Sequence, residues 1–249
     1  MSRRAFRGIW LGRRPYKVVY DLQNTLREAR LSHSVPDTVL LLEHDPVVTL
    51  GRGAHAENLL VSEEILARRG VEVVRTDRGG DVTVHAPGQL VGYPIIDLSP
   101  DRCDVRRYVG DLAETMRRVV SAFGISAGTL PGLIGLWVDP SHPEHWSFDI
   151  AESRREKLGA IGVRIAKWVT MHGFALNLTP DLSLFELIVP CGIRQHGVTS
   201  VQVLTGKRID VKEASVAAFQ ALAEVFDART LSFEDWSQRV AFEDALSGV

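Results

Sequence analysis

The 249-residue sequence predicts an α+β fold in which helices pack on a mixed or antiparallel central sheet. Two observations lead to this class. Strands and helices do not alternate regularly as in a parallel α/β sheet, and short turns join several successive strands. A chain of this length with 45% hydrophobic residues can also bury a substantial core. We expect one domain over residues 1–249, with its core at about residues 16–228 and a helical segment at the C-terminal end.

The first part of the chain predicts two helices and five strands. Apolar spacing from Tyr16 to Leu26 predicts a helix that ends near Leu31. The stretches TVLLLEH and PVVTLG predict strands, and SEEILARRG predicts a short helix capped by Ser62 and closed by Gly70. VEVVRTDRGGDVTVHAPGQLVGYPIIDL predicts three strands, because Gly-Gly and Pro-Gly turns interrupt its apolar runs.

The second part mixes helices and strands. Asp104 opens the clearest helix, whose apolar positions recur at helical spacing up to Gly124. GLIGLWVD, KLGAIGVRIAKWVT and GFALNL predict strands because β-branched and aromatic residues dominate them. DLSLFELI predicts a short helix capped by Asp181, and two more helices follow, one over residues 211–228 and one in SFEDWSQRVAFEDAL. Residues 139–157, which follow the strand GLIGLWVD, are polar and predict an exposed loop.

Composition argues against several classes of partner. The formal net charge is −2, from 29 basic and 31 acidic residues, so no net field favours nucleic acid or an anionic membrane. Arginines interrupt the N-terminal stretch before a signal-length apolar run, and no run approaches the roughly 20 residues that span a bilayer. Two cysteines cannot make a disulfide framework, which fits a reducing compartment. We therefore expect a cytoplasmic protein without a nucleic-acid or membrane partner.

Cofactor motifs are also missing from the sequence. No GxxxxGKS or GxxxxGKT occurs, and GRGAHA lacks the third glycine of a dinucleotide fingerprint. His142 and His145 have no cysteine or acidic triad nearby to complete a metal site. We expect neither a cofactor nor a metal.

Cys191 is the first candidate for chemistry. Most cysteines only pack in a core, but Pro190 and Gly192 flank this thiol and present it on a turn that a substrate can approach. Cys103 lacks such a setting. Because a thiol reacts as the thiolate, lowering its usual pKa of about 8.5 by two units requires about 2.7 kcal/mol of stabilisation. Lys157, His172 and His196 are candidate neighbours, and the sequence does not rank them.

Other polar positions have two readings each. His85 and His172 stand where a strand meets a turn, as structural histidines or as part of a site. Gly79 and Gly80 form either a tight hairpin turn or a close approach of backbone to a ligand.

Four stretches, in order, together resemble one family. RGGDVTVHAPGQLVGYPIIDL, KLGAIGVRI, WVTMHGFALNL and IVPCGIRQHGVTSV resemble the lipoyl(octanoyl) transferases, with weaker agreement at TLGRGAHAENLL. That family shares its fold superfamily with the biotin and lipoate protein ligases, and the resemblance implies the same catalytic fold over residues 1–249. Ala86 departs from the family pattern, which usually has glycine there.

The resemblance implies an acyltransferase in endogenous protein lipoylation. Such an enzyme moves an octanoyl group from octanoyl-acyl carrier protein to a specific lysine of a lipoyl domain, without a cofactor. The acceptors are lipoyl domains of 2-oxoacid dehydrogenase complexes and the glycine cleavage H protein. By resemblance, Cys191 is the acyl-thioester nucleophile and Lys157 lowers its pKa. The substrate-binding positions carried over are Arg78, Gly79, Gly80, Asp81, Val82, Thr83, Val84, His85, Ala160, Ile161, Gly162, His172, Gly173, Phe174 and Ala175.

Three alternatives stay open at this point. An ATP-dependent lipoate protein ligase shares the fold and the lysine but needs no nucleophilic cysteine, so PCGI favours the transferase. A thiol hydrolase would use Cys191 with His172 or His196 and release free acid without an acceptor protein. A non-catalytic carrier-binding module would need neither Cys191 nor Lys157.

Overall fold

The computed structural model describes residues 4–147, 155–189, 196–240 and 242. Within these residues a nine-stranded mixed sheet and a three-stranded sheet combine with helices, so the predicted α+β class is confirmed. The strands are β1 Ala5–Arg14, β2 Asp37–His44, β3 Val47–Leu50, β4 Glu72–Arg75, β5 Val82–His85, β6 Gln89–Ile95, β7 Gly128–Leu130, β8 Leu133–Val138, β9 Glu156–Ala166, β10 Val169–Asn177, β11 Gly197–Val198 and β12 Arg229–Asp235. The α-helices are α1 Tyr16–Leu31, α2 Glu63–Arg68, α3 Val105–Ser121, α4 Val201–Thr205 and α5 Val211–Val225, and 3-10 helices cover Ala56–Asn58 and Leu182–Leu187.

The large sheet has the strand order β12-β1-β2-β6-β10-β9-β8-β7, with β11 paired to β9. The pairs β12–β1 and β1–β2 are parallel, and β2, β6, β10, β9, β8 and β7 pair antiparallel in succession. Helix α1 packs its apolar stripe on one face of this sheet, while α3 and α5 cover the other. Both faces of the central strands are therefore buried, which explains their nearly continuous apolar sequences.

The small sheet has the order β4-β3-β5 and carries α2 and the 3-10 helix Leu182–Leu187 in its own apolar cluster. The turn that enters β5 joins it to the large sheet, because the Gly79 N–H donates to the Val163 carbonyl of β9 at 2.9 Å. This contact places residues 78–83 over the surface of β9 and β10. The site described below lies at this junction.

Most of the predicted elements are confirmed where local signals are strong. Helix α3 begins after Asp104, whose carboxylate accepts hydrogen bonds from the Arg106 and Arg107 N–H groups. Helix α1 ends at Leu31 as expected, and Gly70 follows α2 with a φ of 70°.

Three predictions of local structure are wrong. SFEDWSQRVAFEDAL is not helical up to residue 240, because its first residues belong to β12, which pairs with β1; residues 241 and 243–246 of the stretch lie outside the described residues. KLGAIGVRIAKWVT is not one strand, because Lys167 and Trp168 adopt φ values of 52° and 63° and turn the chain into the β9–β10 hairpin. The core also extends beyond residues 16–228, since Phe6 of β1 is fully buried.

The polar stretch 139–157 is not exposed at its two ends. Asp139 and Arg155 are buried and form an ion pair at 3.4 Å, and the Arg155 guanidinium lies 4.6 Å from the centre of the Trp146 ring. Lys157, at the end of the same stretch, is a buried residue of β9. Charged side chains usually indicate exposure, but in this stretch pairing and cation–π contact compensate their burial.

No helix among the described residues has the length and apolar character needed to cross a membrane.

Candidate active site

An open cavity lies where the small sheet meets β9 and β10. Its lining residues come from α1, the 3-10 helix Leu182–Leu187, β5, β6, β9, β10 and β11, and from the turn before β5. The lining residues are Tyr16, Arg78, Gly80, Asp81, Val82, Thr83, His85, Gln89, Tyr93, Lys157, Ala160, Ile161, Gly162, His172, Gly173, Phe174, Ala175, Asn177, Phe185 and Val198.

The structure brings most of the residues expected from the sequence to this one cavity. Lys157 and every predicted substrate-binding residue except Gly79 and Val84 line it. Gly79 instead uses its backbone to join the two sheets, and Val84 is fully buried in the small sheet. Gly159 of β9 does not line the cavity, and a Cβ there would meet Met116 Sδ at 2.6 Å.

Arg78 shapes the turn before β5. Its guanidinium is buried and donates to the Thr49 carbonyl at 2.6 Å and to the Asp81 carbonyl at 2.7 Å. Gly80, between them, has a φ of 88°, a conformation that favours glycine. In the RGGD sequence, the arginine side chain therefore stabilises a tight backbone turn at the rim of the cavity.

Asp81 connects this turn to the chain that precedes residue 190. Its carboxylate accepts hydrogen bonds from the Asn58 side chain and from the Val82 N–H. The Asn58 carbonyl accepts the Val189 N–H at 2.8 Å, and Leu59 forms an isolated bridge with Ile188. The last described residues before residue 190 are thereby anchored to the cavity rim.

A group of buried aromatic rings closes one end of the cavity. The rings of Tyr16, His44, His85 and Tyr93 form a connected group, in which the centres of contacting rings are 5.0 to 6.1 Å apart. His44 Nδ1 faces the Arg14 carbonyl at 3.0 Å, so it carries the proton, and the Tyr93 hydroxyl donates to His44 Nε2 at 2.8 Å. Burial lowers the pKa of both histidines and raises the pKa of both tyrosines, so all four rings are neutral at pH 7.

His172 has an unusual backbone and a defined tautomer. It is buried within β10 at a φ of 60°, which is rare for a side-chain-bearing residue. Its Nε2 lies 2.8 Å from Asp77 Oδ1, and Arg164 pairs with the same carboxylate at 3.0 Å. Hydrogen bonds and charge from His172 hold the pKa of Asp77 below its usual range, so the carboxylate accepts and His172 Nε2 donates. Burial in turn lowers the pKa of His172.

The buried His44 predicts a loss of stability in acid. Burial lowers its pKa to about 4, whereas it titrates near 6.5 in the unfolded chain. Between these values the unfolded chain binds the extra proton, so the free energy of unfolding falls as the pH drops from 6.5 to 4, by about 3 kcal/mol from this residue. Urea unfolding between pH 7.5 and 4.5 should show a steep loss of stability that is shallower in His44→Gln. Equal pH slopes in the two proteins would contradict this origin.

Lys157 enters the cavity from the other end. Its backbone is in register with Val198 of β11, and the Thr199 N–H donates to its carbonyl at 3.0 Å. Its ammonium lies 4.9 Å from the centre of the Trp137 ring of β8. His196 contacts the same tryptophan ring at 5.2 Å.

The three candidate neighbours of a reactive thiol are therefore not equivalent. Lys157 and His196 meet at Trp137, while His172 lies opposite Val163, six residues along β9 from Lys157, or about 20 Å. Cys191 itself lies outside the described residues. The cavity-lining residues on either side of it along the chain are Phe185 and Val198.

Sequence reasoning missed six residues of the cavity lining. Gln89, Tyr93, Asn177 and Val198 stand within the stretches that carried the resemblance, so those stretches held more of the site than their glycines and histidines suggested. Gln89 bonds Asn177 across β6 and β10 at 2.9 Å, and this pairing needed the sheet order. Tyr16 and Phe185 come from helices distant in sequence and had no local signal.

Comparisons with known proteins identify the family of this chain. Residues 15–223 match the family model of the lipoyl protein ligase A/B catalytic domain, the class that the fold and cavity define. An octanoyltransferase from Chloroflexus aggregans is 44% identical over 223 residues, which cover 89% of this chain and 95% of that relative. An octanoyltransferase from Myxococcus xanthus is 44% identical over 218 residues, and this match spans 88% of this chain and 58% of that relative. The chain belongs to the octanoyltransferase family and is thus an acyltransferase.

A solved structure supports the fold. The bipartite lipoate protein ligase of Thermoplasma acidophilum superposes with a TM-score of 0.67 and 15% identity, covering 99% of this chain and 90% of that chain. At this identity the likeness concerns the fold alone, which is the predicted ligase-like fold.

Proposed function

We propose that the enzyme transfers an octanoyl group from octanoyl-acyl carrier protein to a lysine of a lipoyl domain through a thioester on Cys191. The observation that carries this proposal is the position of Lys157 in a cavity whose lining also includes Phe185 and Val198, on either side of Cys191 along the chain. Membership of the octanoyltransferase family supports octanoyl as the acyl group that is transferred. The lipoyl domains of 2-oxoacid dehydrogenase complexes and the glycine cleavage H protein are the proposed acceptors.

In the first step the Cys191 thiolate attacks the carbonyl carbon of the donor thioester. The carbon–sulfur bond to the carrier breaks, and the departing carrier thiolate takes a proton from the Lys157 ammonium. This step exchanges one thioester for another and needs no external energy source. It leaves Lys157 as a neutral amine beside an octanoyl-cysteine.

In the second step the neutral amine of the acceptor lysine attacks the octanoyl-cysteine. The new amide nitrogen gives its proton to the Lys157 amine, and the Cys191 thiolate leaves. The thiolate and ammonium pair is thereby restored. Because the two protein substrates react in separate steps, the kinetics should be ping-pong.

The ATP-dependent ligase reaction is a weaker reading of the same site. It activates the acid as an acyl-adenylate and leaves PCGI without a role. A thiol hydrolase would instead pair Cys191 with His172, which lies opposite Val163, six residues along β9 from Lys157.

The cavity between Lys157 and the aromatic rings suits the octanoyl chain. Ala160 lies three residues along β9 from Lys157, about 10 Å, and faces Ala175 across the hairpin. An extended eight-carbon chain with bonds of about 1.5 Å has nearly this length. Small side chains at this depth leave the space that the far half of the chain occupies.

Ala160→Val should therefore discriminate against long acyl donors. Each methylene that loses its buried position costs about 0.8 kcal/mol, roughly fourfold in kcat/KM. With octanoyl and butanoyl donors compared in parallel, we expect at least about a tenfold fall in the octanoyl to butanoyl ratio. An unchanged ratio would place the acyl chain elsewhere.

The proposed reaction is tested by the mass of the intact protein. After incubation with octanoyl-acyl carrier protein, the enzyme should carry one octanoyl group on Cys191 that hydroxylamine removes. Addition of a lipoyl domain should clear this adduct and octanoylate the domain. An adduct that forms only with octanoate and ATP would support the ligase, and release of free octanoate without acceptor would support the hydrolase.

A further inference from the structure

The side chain of Lys157 lies in a slot built by two residues of β8. Gly135, at a φ of 138°, leaves the space beside the lysine stem, since a Cβ there would lie 3.3 Å from Lys157 Cε and 2.6 Å from the Gly159 carbonyl. Trp137 is in register with Lys157 across the β8–β9 pair and places its ring 4.9 Å from the ammonium. Gly135 and Trp137 thus both lie beside the side chain of Lys157, the first along its stem and the second at its ammonium.

The Trp137 ring is itself held in place. It is only 1% exposed, and its Nε1–H donates to the Leu133 carbonyl at 3.0 Å. His196 packs against the same ring at 67° between planes, and its Nδ1 donates to the Arg155 carbonyl at 3.1 Å. The Trp137 ring therefore contacts both Lys157 and His196.

An indole ring attracts an ammonium group through the negative face of its π system, and tryptophan does so better than phenylalanine or tyrosine. The attraction is strongest in a desolvated setting, and Lys157 is buried. Unlike a carboxylate partner, the ring does not neutralise the ammonium or accept its proton. A ring contact of this kind can orient the Lys157 ammonium without taking its proton.

We propose that Trp137 is a positioning residue: by contacting both, it fixes the distance between the Lys157 ammonium and the chain at His196. This inference rests on the proposed role of Lys157 toward Cys191. It predicts that activity depends on the electron density of the residue-137 ring as well as on its volume.

The test uses the full chain with Cys103→Ser, so that Cys191 is the single thiol to be alkylated. Tryptophans of increasing fluorination are placed at position 137 by site-specific incorporation, because they weaken the ring's attraction for cations with little change of shape. We expect kcat to fall stepwise, about three- to tenfold across the series, with KM changed less than about twofold. The pH midpoint of iodoacetamide alkylation should rise in step. Trp137→Phe should fall within the series, and Trp168→Leu, at the β9–β10 turn, is the matched control with no effect.

A purely structural role for Trp137 predicts a different result. The fluorinated variants would then keep the wild-type kcat and alkylation midpoint, and this outcome would overturn the inference. A direct readout is the proton shift of the Lys157 ε-methylene, which should lie upfield through the ring current and lose that shift in Trp137→Leu. If Lys157→Met leaves the alkylation midpoint of the wild type unchanged, the proposed function fails; if it moves the midpoint but fluorination does not, only the role of Trp137 fails.

Discussion

Replacing Cys191 by alanine should lower the rate of octanoyl transfer by at least about 10³-fold, because the covalent intermediate can no longer form. Serine should fare little better, since its hydroxyl is not ionised at neutral pH and a cation that stabilises a thiolate does not generate an alkoxide. The readouts are the transfer of octanoyl from carrier to lipoyl domain and the mass of the enzyme after exposure to the donor alone. Neither variant should carry the hydroxylamine-sensitive octanoyl group.

Cys103 provides the matched control for this prediction. It is an exposed free thiol that lies 3.7 Å from the Ser99 hydroxyl and outside the cavity. Cys103→Ala should keep wild-type turnover and one octanoyl group per chain. Full turnover by Cys191→Ser, or an adduct that disappears with Cys103, would refute the assignment of the nucleophile.

Lys157 should separate the two half-reactions when it is replaced in two ways. Lys157→Met removes the charge, so formation of the octanoyl-enzyme should slow by about 10²-fold or more. Lys157→Arg keeps the charge but holds its proton, because arginine does not deprotonate in proteins. A thiolate can leave before it is protonated, so this variant should still acylate, with water protonating the carrier thiolate. It should then stall, because arginine cannot take the proton of the acceptor amine, and octanoyl-Cys191 should accumulate in the presence of the lipoyl domain.

The matched control for Lys157 is Lys17, an exposed residue of α1 that pairs with Asp21. Lys17→Met and Lys17→Arg should turn over at the wild-type rate. Single-turnover measurements of the adduct before and after addition of the lipoyl domain distinguish the two steps. Rapid clearance of the adduct in Lys157→Arg would show that another group accepts the proton of the acceptor amine.

The sequence predicts those parts of the fold that have local physical causes. Asp104 caps α3 because a short carboxylate can accept the free N–H groups of the first turn, a relation readable from neighbouring residues. The pairing of β1 with β12 joins residues more than 200 positions apart, and no local pattern contains it. The turn at Lys167 and Trp168 was hidden because neither residue is among those usual at positive φ.

The candidate site shows the same division. The stretches that resemble the transferase family contain most of the cavity-lining residues, because the glycines and histidines of RGGDVTVH and MHGFALNL stand at turns and strand ends. The burial of Arg155 and Lys157 depends on contacts with Asp139, Trp146 and Trp137 that form only when the chain folds, so the polar sequence does not predict it. The distance of His172 from Lys157 follows from the register of β9 and β10, which only the folded sheet provides.

The central claim is that Lys157 keeps the Cys191 sulfur anionic at neutral pH. It is tested most directly by the pH dependence of iodoacetamide alkylation at Cys191, measured in Cys103→Ser protein with and without Lys157→Met. With Lys157 present, the midpoint should lie about two units below the usual thiol value of about 8.5, and Lys157→Met should return it toward that value. The same midpoint near 8.5 in both proteins would contradict the account.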